Sequence, residues 1–276
     1  MLDFKRLTIL WLSLNILFCS TPMSQQQPNY PPVIEASPAR AQAAEDAWNQ
    51  FLSEYRLNFT APEFEAILYT PRTLPAALAL QINLKPSDKK ADETIDEAHA
   101  KEYLRRFIDN HRAVLSGDQR SNALSLKDLS LITFGNEGNL YRAVYRQMNY
   151  PFPMENGYGE LRIVMSKTGA LLQLSSRLIP AVEFPSRPKI EAATLTNKFI
   201  GREFSYSNIA GQPLSYKIAQ ASEITVKELV VYPKVSEQKM MLHLAYPCEI
   251  GRGTTWTIYV DAITGEELET KQNFQS

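Results

Sequence analysis

One pattern occurs twice in the sequence: a helical segment followed by four segments with strand character. Each copy closes with a turn that contains Thr-Gly, at Gly169 in the first copy and at Gly265 in the second. Glycine supplies the positive φ that a tight reversal between two strands needs. Successive antiparallel strands with a helix on one face are typical of an α+β fold. We therefore expect two consecutive units, each a helix plus a four-stranded antiparallel sheet, packed against each other.

Composition narrows the class of function. The 276 residues have a formal net charge of -1, and 44% of them are hydrophobic. That hydrophobic fraction is ample for a packed core. Balanced charge gives no electrostatic reason to expect a nucleic-acid partner, because phosphate binding needs an excess of Lys and Arg on one surface.

The N-terminus has the pattern of a secretion signal. Lys5 and Arg6 precede an apolar run over residues 7–18. This run is shorter than the ~20 residues that a membrane-spanning helix needs. A basic start followed by a short apolar run predicts a signal peptide over residues 1–21, and therefore a protein that is secreted or held in the cell envelope.

The cleavage site of this signal has two interpretations. Residues 16–19 resemble a bacterial lipoprotein box, in which Cys19 would be acylated, although Phe18 is larger than the small residue expected before that cysteine. Ordinary cleavage between Cys19 and Thr21 is the alternative. A lipid on Cys19 would be the one predicted contact with a membrane. Cys248 is left as a lone cysteine in either case, so we expect no intramolecular disulfide.

Three segments follow the signal. Residues 22–42 are rich in Gln, Pro, Ser and Asn, which predicts a disordered tether. The first unit is expected over residues 43–184 and the second over residues 185–276. Within the first, apolar residues at helical spacing predict a helix over residues 39–55. Trp48 in this helix is expected to anchor the core rather than to form an aromatic platform for a ligand.

The start of the next helix fits a capping box. The hydroxyl of Thr94 would accept the backbone N–H of Glu97, and the Glu97 carboxylate would reach back to the first residue. An apolar stripe that includes Leu104 and Phe107 then predicts a helix. Gly117 would end it in the left-handed conformation.

Runs of apolar and β-branched residues predict the strands. In the first unit they are expected at residues 64–69, 77–84, 124–134, 140–148, 160–165 and 170–178. In the second unit, a helix over residues 189–199 and an irregular stretch over 205–222 precede strands at residues 224–232, 240–246, 255–260 and 266–272. Pro247 lacks a backbone N–H and would mark a strand end or a sheet edge. Asp261 would accept backbone N–H groups of its own turn.

Both units resemble modules of one family. The first, over residues 48–181, is similar to the fungalysin/thermolysin propeptide (FTP) module, and this resemblance rests on Trp48 and on residues 67–75, 104–107 and 145–147. The second, over residues 188–272, resembles the PepSY module, and this resemblance rests on residues 229–233, on residues 242–246 and on the string Trp-Thr-Ile-Tyr-Val-Asp-Ala-Ile-Thr-Gly from Trp256 to Gly265.

The resemblance implies a function. In that family this region is the pro-segment of a secreted zinc metalloprotease, which helps the enzyme fold and blocks its site until cleavage. The zinc-binding motif HExxH is missing from this sequence. We therefore expect an exported, non-catalytic protein that binds a polypeptide, with a thermolysin-like metalloprotease as its partner, and acts as a stand-alone inhibitor or a folding chaperone. The alternative is a cell-envelope accessory or structural binding module with no relation to proteases.

The residues most often used in catalysis do not form a recognisable site. His99 and His111 are twelve positions apart on one predicted helix, or ~18 Å, which is too far to share a metal. His111 lies on the apolar stripe and fits a core histidine. His243 and Cys248 would point to opposite faces of a strand, which favours a lone thiol over a thiol–imidazole pair. We expect no enzymatic activity, no catalytic or metal site and no cofactor.

Overall fold

The protein has the α+β architecture that the sequence predicts. The computed structural model describes residues 29–86, 90, 92–117, 128–207, 210–251 and 255–273. Within these residues lie four α-helices and three antiparallel sheets. A search of the same residues finds no helix of the length and apolar character needed to cross a membrane. The predicted signal and Cys19 lie outside the described residues.

The first unit is a four-stranded sheet with helices on one face. Its strands are β2 (Leu129–Glu137), β3 (Leu140–Gln147), β4 (Glu160–Ser166) and β5 (Leu171–Ser176), paired in that order. The helices are α1 (Pro38–Glu54), α2 (Glu97–Asn110) and α3 (Arg112–Ser116). One core joins the two layers, and Trp48, Phe51, Leu104, Phe107, Leu161 and Ile163 belong to it. Burial of such large apolar side chains is the main source of stability in a unit of this size.

The second unit is built around one long strand. This strand, β10 (Lys239–Ile250), pairs with four others: β1 (Val33–Glu35), β8 (Ile224–Val226), β9 (Val230–Val235) and β11 (Trp256–Asp261). The last strand, β12 (Glu267–Gln272), pairs with β11. Helix α4 (Ala192–Lys198) and a hairpin of β6 (Glu203–Ser207) and β7 (Pro213–Lys217) pack on one face of this sheet.

Six strands rather than the expected four form the second sheet. The predicted strand over residues 224–232 is two strands, β8 and β9, and the stretch predicted as irregular over 205–222 contains the hairpin. The prediction for Pro247 is also wrong, because Pro247 lies inside β10 and pairs with Tyr259. The Pro247 carbonyl accepts the Lys227 N–H at 2.8 Å, so the Pro247 nitrogen also faces the gap between β8 and β9. No strand in that gap needs an N–H donor, and proline is therefore tolerated there.

Two strands predicted in the first unit do not form. Residues 64–69 and 77–84 make only the isolated bridges Phe64 with Pro71 and Asn83 with Ala170. Tyr69 and Leu80 have φ of 57° and 76°, which turns the chain out of the extended conformation. Residues 77–84 instead cover the outer edge of β5, where the Leu171 N–H binds the Ile82 carbonyl.

The predicted capping box is wrong. Helix α2 begins at Glu97, and the Asp96 carboxylate accepts the N–H of His99 at 2.8 Å. Thr94 lies before the helix, in a stretch held by the Ile95 N–H bond to the Lys167 carbonyl (2.8 Å). The Glu97 carboxylate accepts Asn136 Nδ2 at 2.9 Å instead of reaching back. In the second unit, α4 likewise starts later than predicted, at Ala192.

The predicted tether is structured in its second half. Helix α1 begins at Pro38, and β1 joins the sheet of the second unit through the register Val33 with Met241. The Leu242 N–H also binds the Pro32 carbonyl at 2.9 Å. Proline-rich composition favours an unfolded segment when no partner strand is available. Here β10 extends beyond the end of β11, and β1 pairs with the part of β10 that β11 leaves open.

An apolar cluster joins the two units. It combines side chains from the segment before α1, from the first unit and from β9 and β10 of the second: Ile34, Ile67, Leu68, Tyr150, Tyr158, Ile179, Val231, Met240 and Leu242. Because these side chains are buried only when both units are present, separation of the units would expose them. The units are therefore packed against each other, as the sequence predicts.

His111 makes the stability of the first unit depend on pH. Its ring packs against Phe51 and Phe107, and its Nε2 lies 3.2 Å from the Tyr55 hydroxyl. Burial lowers the pKa of His111 from 6.5 to about 4. The Glu54 carboxylate, 3.5 Å away, is half-exposed, so water screens its attraction for a protonated His111. The unfolded chain therefore binds more protons than the folded chain between these pKa values.

We predict that the free energy of unfolding falls as the pH drops through this window. The protonated imidazole cannot be accommodated, which costs the wild type about 2 to 3 kcal/mol by about pH 4. Urea denaturation at neutral and acidic pH measures the loss, with His111→Gln as the comparison that lacks this titration. Equal pH dependence in both proteins would contradict the assignment.

Candidate functional site: a charged groove across the two units

A surface groove crosses the junction of the two units. It consists of two adjoining cavities of about 410 Å³ each, which share Asn156 and Arg177. The first cavity lies on the first unit and is lined by Glu65, Arg72, Gly157, Glu160, Arg162 and Arg177. The second lies mainly on the second unit, where Tyr232, Lys234, Leu268, Glu269 and Lys271 line it.

The loop over residues 150–159 forms the boundary between the cavities. Gly157 and Gly159 have φ of 70° and 69°, and Asn156, a residue that tolerates the left-handed region, has 59°. These turns carry the loop from the first unit onto β9, where the Glu155 N–H binds the Val231 carbonyl at 3.0 Å. The groove therefore has a wall that belongs to one unit and rests on the other.

Asn156 is bound from both sides. Its carbonyl accepts Arg177 NH1 at 2.7 Å, and its side-chain oxygen accepts Lys271 Nζ at 2.8 Å. Arg177 also donates through Nε to Glu65 at 2.7 Å, and its guanidinium lies 4.3 Å from the centre of the Tyr158 ring. One residue thus connects an arginine of the first unit with a lysine of the second.

Positive groups outnumber negative groups along the groove. Five cationic side chains line it, Arg72, Arg162, Arg177, Lys234 and Lys271, against the three carboxylates Glu65, Glu160 and Glu269. Glu160 accepts from Arg162 Nε and NH2, at 3.1 and 2.8 Å. Arg72 donates through NH1 to Glu63, outside the lining, at 2.7 Å. The chain as a whole carries -1, so this surface is more positive than the average.

Tyr232 lines the second cavity and packs against Tyr259. The rings of Tyr232 and Tyr259 lie 4.4 Å apart, and Lys271 Nζ lies 4.9 Å from the centre of the Tyr259 ring. The Tyr232 hydroxyl donates to Glu269, and the Tyr259 hydroxyl donates to Glu155 at 3.2 Å. Burial, together with the Glu155 charge, raises the pKa of Tyr259, so its hydroxyl stays protonated as a donor.

The outer edge of β12 borders this cavity. Among the described strands, β12 ends the path β1-β10-β11-β12 and pairs only with β11. The Asn273 N–H binds the Thr255 carbonyl, so residues 271 and 269 also direct their backbone groups to β11. Thr270 lies between these two and directs its N–H and carbonyl outward. An extended chain could pair there beside Glu269 and Lys271.

A buried polar cluster fixes the N-terminal segment to the second unit. The Tyr30 hydroxyl donates to Asp261 Oδ2 at 2.8 Å and accepts the Leu244 N–H at 2.9 Å. His243 Nδ1 donates to the same oxygen at 2.7 Å, while its buried Nε2 has no partner among the described residues. The other oxygen of Asp261 accepts the N–H groups of Ile263 and Thr264 at 2.7 and 2.9 Å.

The electrostatics of this cluster favour an ionised aspartate. Burial alone would raise the pKa of Asp261, but the hydrogen bonds that the carboxylate accepts outweigh burial and lower it. Burial, together with the adjacent carboxylate, raises the pKa of Tyr30, which keeps its hydroxyl protonated as a donor. The cluster therefore holds one negative charge that is fully bonded within the fold.

Cys248 and His243 do not form a reactive pair. Cys248 is fully buried on the face of β10 that packs on α4, whereas His243 projects from the other face. Burial raises the pKa of the Cys248 thiol to about 12, so it stays protonated at neutral pH. The described residues contain no group of three or more His, Cys, Asp or Glu side chains that could hold a metal.

The remaining residues singled out in the sequence lie in the core and in turns. Trp48 is fully buried, and Trp256 stacks between Phe204 and Tyr216 at 4.8 and 5.2 Å. Gly169 and Gly265 have φ of 96° and 79° in their turns. A Cβ on Gly169 would lie 2.6 Å from Asn83 Oδ1, so this turn also depends on the absence of a side chain.

The groove residues are not recognisable as a site from the sequence. Arg162 and Arg177 alternate with buried residues in or next to β4 and β5, so a strand pattern could have placed them on the outer face of the sheet. Nothing in the sequence, however, indicates that Lys271 lies near Asn156, more than a hundred residues earlier.

Comparison with known proteins finds structural similarity at low sequence identity. No protein-family model matches the sequence, and no curated protein matches it. Among solved structures, the C-terminal domain of YpeB from Bacillus megaterium is similar to 68% of this chain and 68% of its own, with 16% sequence identity and a TM-score of 0.28. The resemblance to the FTP and PepSY modules therefore stays a prediction from the sequence.

Removal of the Tyr30 hydroxyl should weaken the attachment of the N-terminal segment. We predict that Tyr30→Phe lowers the free energy of unfolding by about 2 to 3 kcal/mol, because it leaves a buried N–H and a carboxylate oxygen short of a partner. Chemical denaturation measures the change. The matched control is Tyr145→Phe, since Tyr145 is 8% exposed and its hydroxyl makes no hydrogen bond with the described residues. Equal losses in the two variants would contradict the role of Tyr30.

Proposed function

We propose that this chain is an exported, non-catalytic module that binds an extended segment of a partner polypeptide. The observation that carries the proposal is the position of β12, whose outer edge borders a groove formed by both units. A strand edge offers backbone donors and acceptors in a row, and an extended chain can pair with them. The adjoining groove offers room for side chains of the same chain.

The geometry of the edge supports binding by strand addition. Thr270 directs its backbone groups outward, and its hydroxyl donates inward to Glu267 at 2.5 Å. Glu267 is also bound by Arg202, which ties β12 to the turn after α4. The edge is thus fixed in the extended conformation before a partner arrives, and preorganisation of this kind lowers the entropic cost of binding.

The surroundings of the histidines and the cysteine support a non-catalytic role. His99 binds the Asp96 carboxylate at 2.9 Å, His111 contacts Tyr55, and His243 binds Asp261. Each histidine is engaged in local structure, and the Cys248 thiol is buried and protonated. Cys248 and His243 lie on opposite faces of β10, so this thiol lacks the adjacent imidazole base that covalent catalysis by such a pair would need.

The partner that we propose is a secreted zinc metalloprotease of the thermolysin type. The sequence resemblance to pro-segment modules motivates this choice, and the protein would act on the enzyme as a stand-alone inhibitor or a folding chaperone. Titration of the purified protein against secreted thermolysin-like proteases, with proteolytic rate and refolding yield as readouts, tests it. An unchanged rate and yield, with binding to other envelope proteins, would favour the accessory-module alternative.

A proline at the edge of β12 should separate binding from folding. We predict that Thr270→Pro lowers partner affinity by roughly tenfold or more, because it removes an outward N–H and places a ring where the partner strand would lie. An edge strand tolerates proline on its solvent side, so the variant should fold. The control Thr270→Ala loses the same hydroxyl and keeps the N–H. Equal affinity of the two variants for the partner would contradict strand addition at β12.

A further inference from the structure

We infer that the bound segment is acidic and that its Asp or Glu side chains lie in the groove between Arg72, Arg162, Arg177, Lys234 and Lys271. This inference rests on the proposed function, which it deepens by assigning the chemistry of the partner and the site that recognises it.

The arginines of the groove keep hydrogen-bond donors for a ligand. A guanidinium has five N–H groups. Arg72 uses NH1 for Glu63, Arg162 uses Nε and NH2 for Glu160, and Arg177 uses Nε for Glu65 and NH1 for Asn156. In the part of the chain that the structure describes, each therefore keeps N–H groups that no protein acceptor takes. Carboxylates are the side chains that guanidinium groups bind best, in bidentate geometry.

The second cavity adds ammonium groups to these donors. Lys234 lies at the end of β9 and makes no ion pair with the described residues. Lys271 lies over Tyr259, donates to Asn156 and pairs with Glu269 at 3.4 Å, so its position is fixed before binding. With the three arginines these lysines outnumber the lining carboxylates by two, since five cations face three anions.

The distribution of charge favours spaced carboxylates over a continuous polyanion. Each lining carboxylate lies beside a cation of the groove: Glu65 is 2.7 Å from Arg177, Glu160 is 2.8 Å from Arg162 and Glu269 is 3.4 Å from Lys271. A nucleic acid, which carries a phosphate at each nucleotide, would bring charge close to these carboxylates. An extended peptide places every second side chain on one side, at intervals of roughly 7 Å, and can present acidic groups only where the cations lie. We therefore assign the groove to an acidic polypeptide segment.

Gly157 keeps the first cavity open. Gly157 lines this cavity, and a Cβ there would lie 3.6 Å from Arg162 Nη2, 4.0 Å from Arg177 Nη1 and 4.0 Å from Glu160 Oε2. A longer side chain would lie between the two guanidinium groups and occupy the place of a bound carboxylate. Because φ is 70° there, asparagine is the replacement that the backbone tolerates best. Gly157→Asn therefore blocks the cavity with little change in charge or backbone.

The test uses the full mature chain and three fluorescent peptides of equal length. Alternate positions of each peptide are Glu, Gln or Lys, and binding is measured by fluorescence anisotropy. We expect the Glu peptide to bind more tightly than the Gln peptide, the Lys peptide to bind most weakly, and the preference for Glu to shrink as salt rises. Arg162→Gln and Gly157→Asn should each weaken binding of the Glu peptide by roughly tenfold.

Two matched controls lie outside the groove. Arg142→Gln removes an arginine that pairs with Glu137 on β2 and lines neither cavity. Gly138→Asn changes a glycine with a φ of 56° whose Cβ would meet nothing within 4 Å. Both should bind the Glu peptide as the wild type does, and thermal unfolding of all four variants shows whether they are folded.

The outcomes separate the two proposals. Equal binding of the three peptides, or equal loss of affinity in groove and control variants, would overturn the acidic assignment and leave strand addition intact. Failure of every peptide to bind, whatever its charge, would overturn both. A preference for Glu that disappears in Thr270→Pro but not in Thr270→Ala would support both, because it would show that the groove and the edge act on one chain.

Discussion

The fold depends on a strand that the N-terminal segment gives to the last sheet. Residues 33–35 pair with β10, and the Tyr30 hydroxyl joins the buried Asp261 carboxylate to the Leu244 N–H. The chain then enters α1, whose Trp48 and Phe51 lie in the core of the first unit. Because one short segment is bound at both ends, the two units cannot separate without breaking a buried ionic cluster and exposing apolar surface.

A fixed junction gives the groove its shape. The loop before Gly159 rests on β9, and Asn156 is bound by Arg177 from one side and by Lys271 from the other. Each of these contacts alone would be a surface interaction of small energy. Together they hold cations of both units at set positions, which favours recognition of charge pattern rather than of one group. Binding to such a surface costs little ordering, because the side chains are already placed.

Local sequence pattern predicted most of the elements and failed for the long-range pairing. Strand β3 could be predicted because its alternation is strict, and β4 and β11 because each is a short apolar run next to a turn that contains glycine. The place of β1 could not, since a three-residue strand has almost no signal and its partner lies about two hundred residues later. The prediction for Pro247 was wrong because the preference of proline for sheet edges assumes a continuous strand on either side. On one side of Pro247, β8 and β9 leave a gap instead. The groove unites residues whose proximity only tertiary structure creates.

Amide hydrogen exchange in the presence of an acidic peptide tests the central claim most directly, because it reports where the peptide lies on the intact protein. The account predicts slower exchange in two places, at Thr270 on the edge of β12 and in the loop at residues 155–159, with the sheet of the first unit otherwise unchanged. Protection confined to the edge strand β2, or no protection at a peptide concentration that saturates the anisotropy signal, would contradict it.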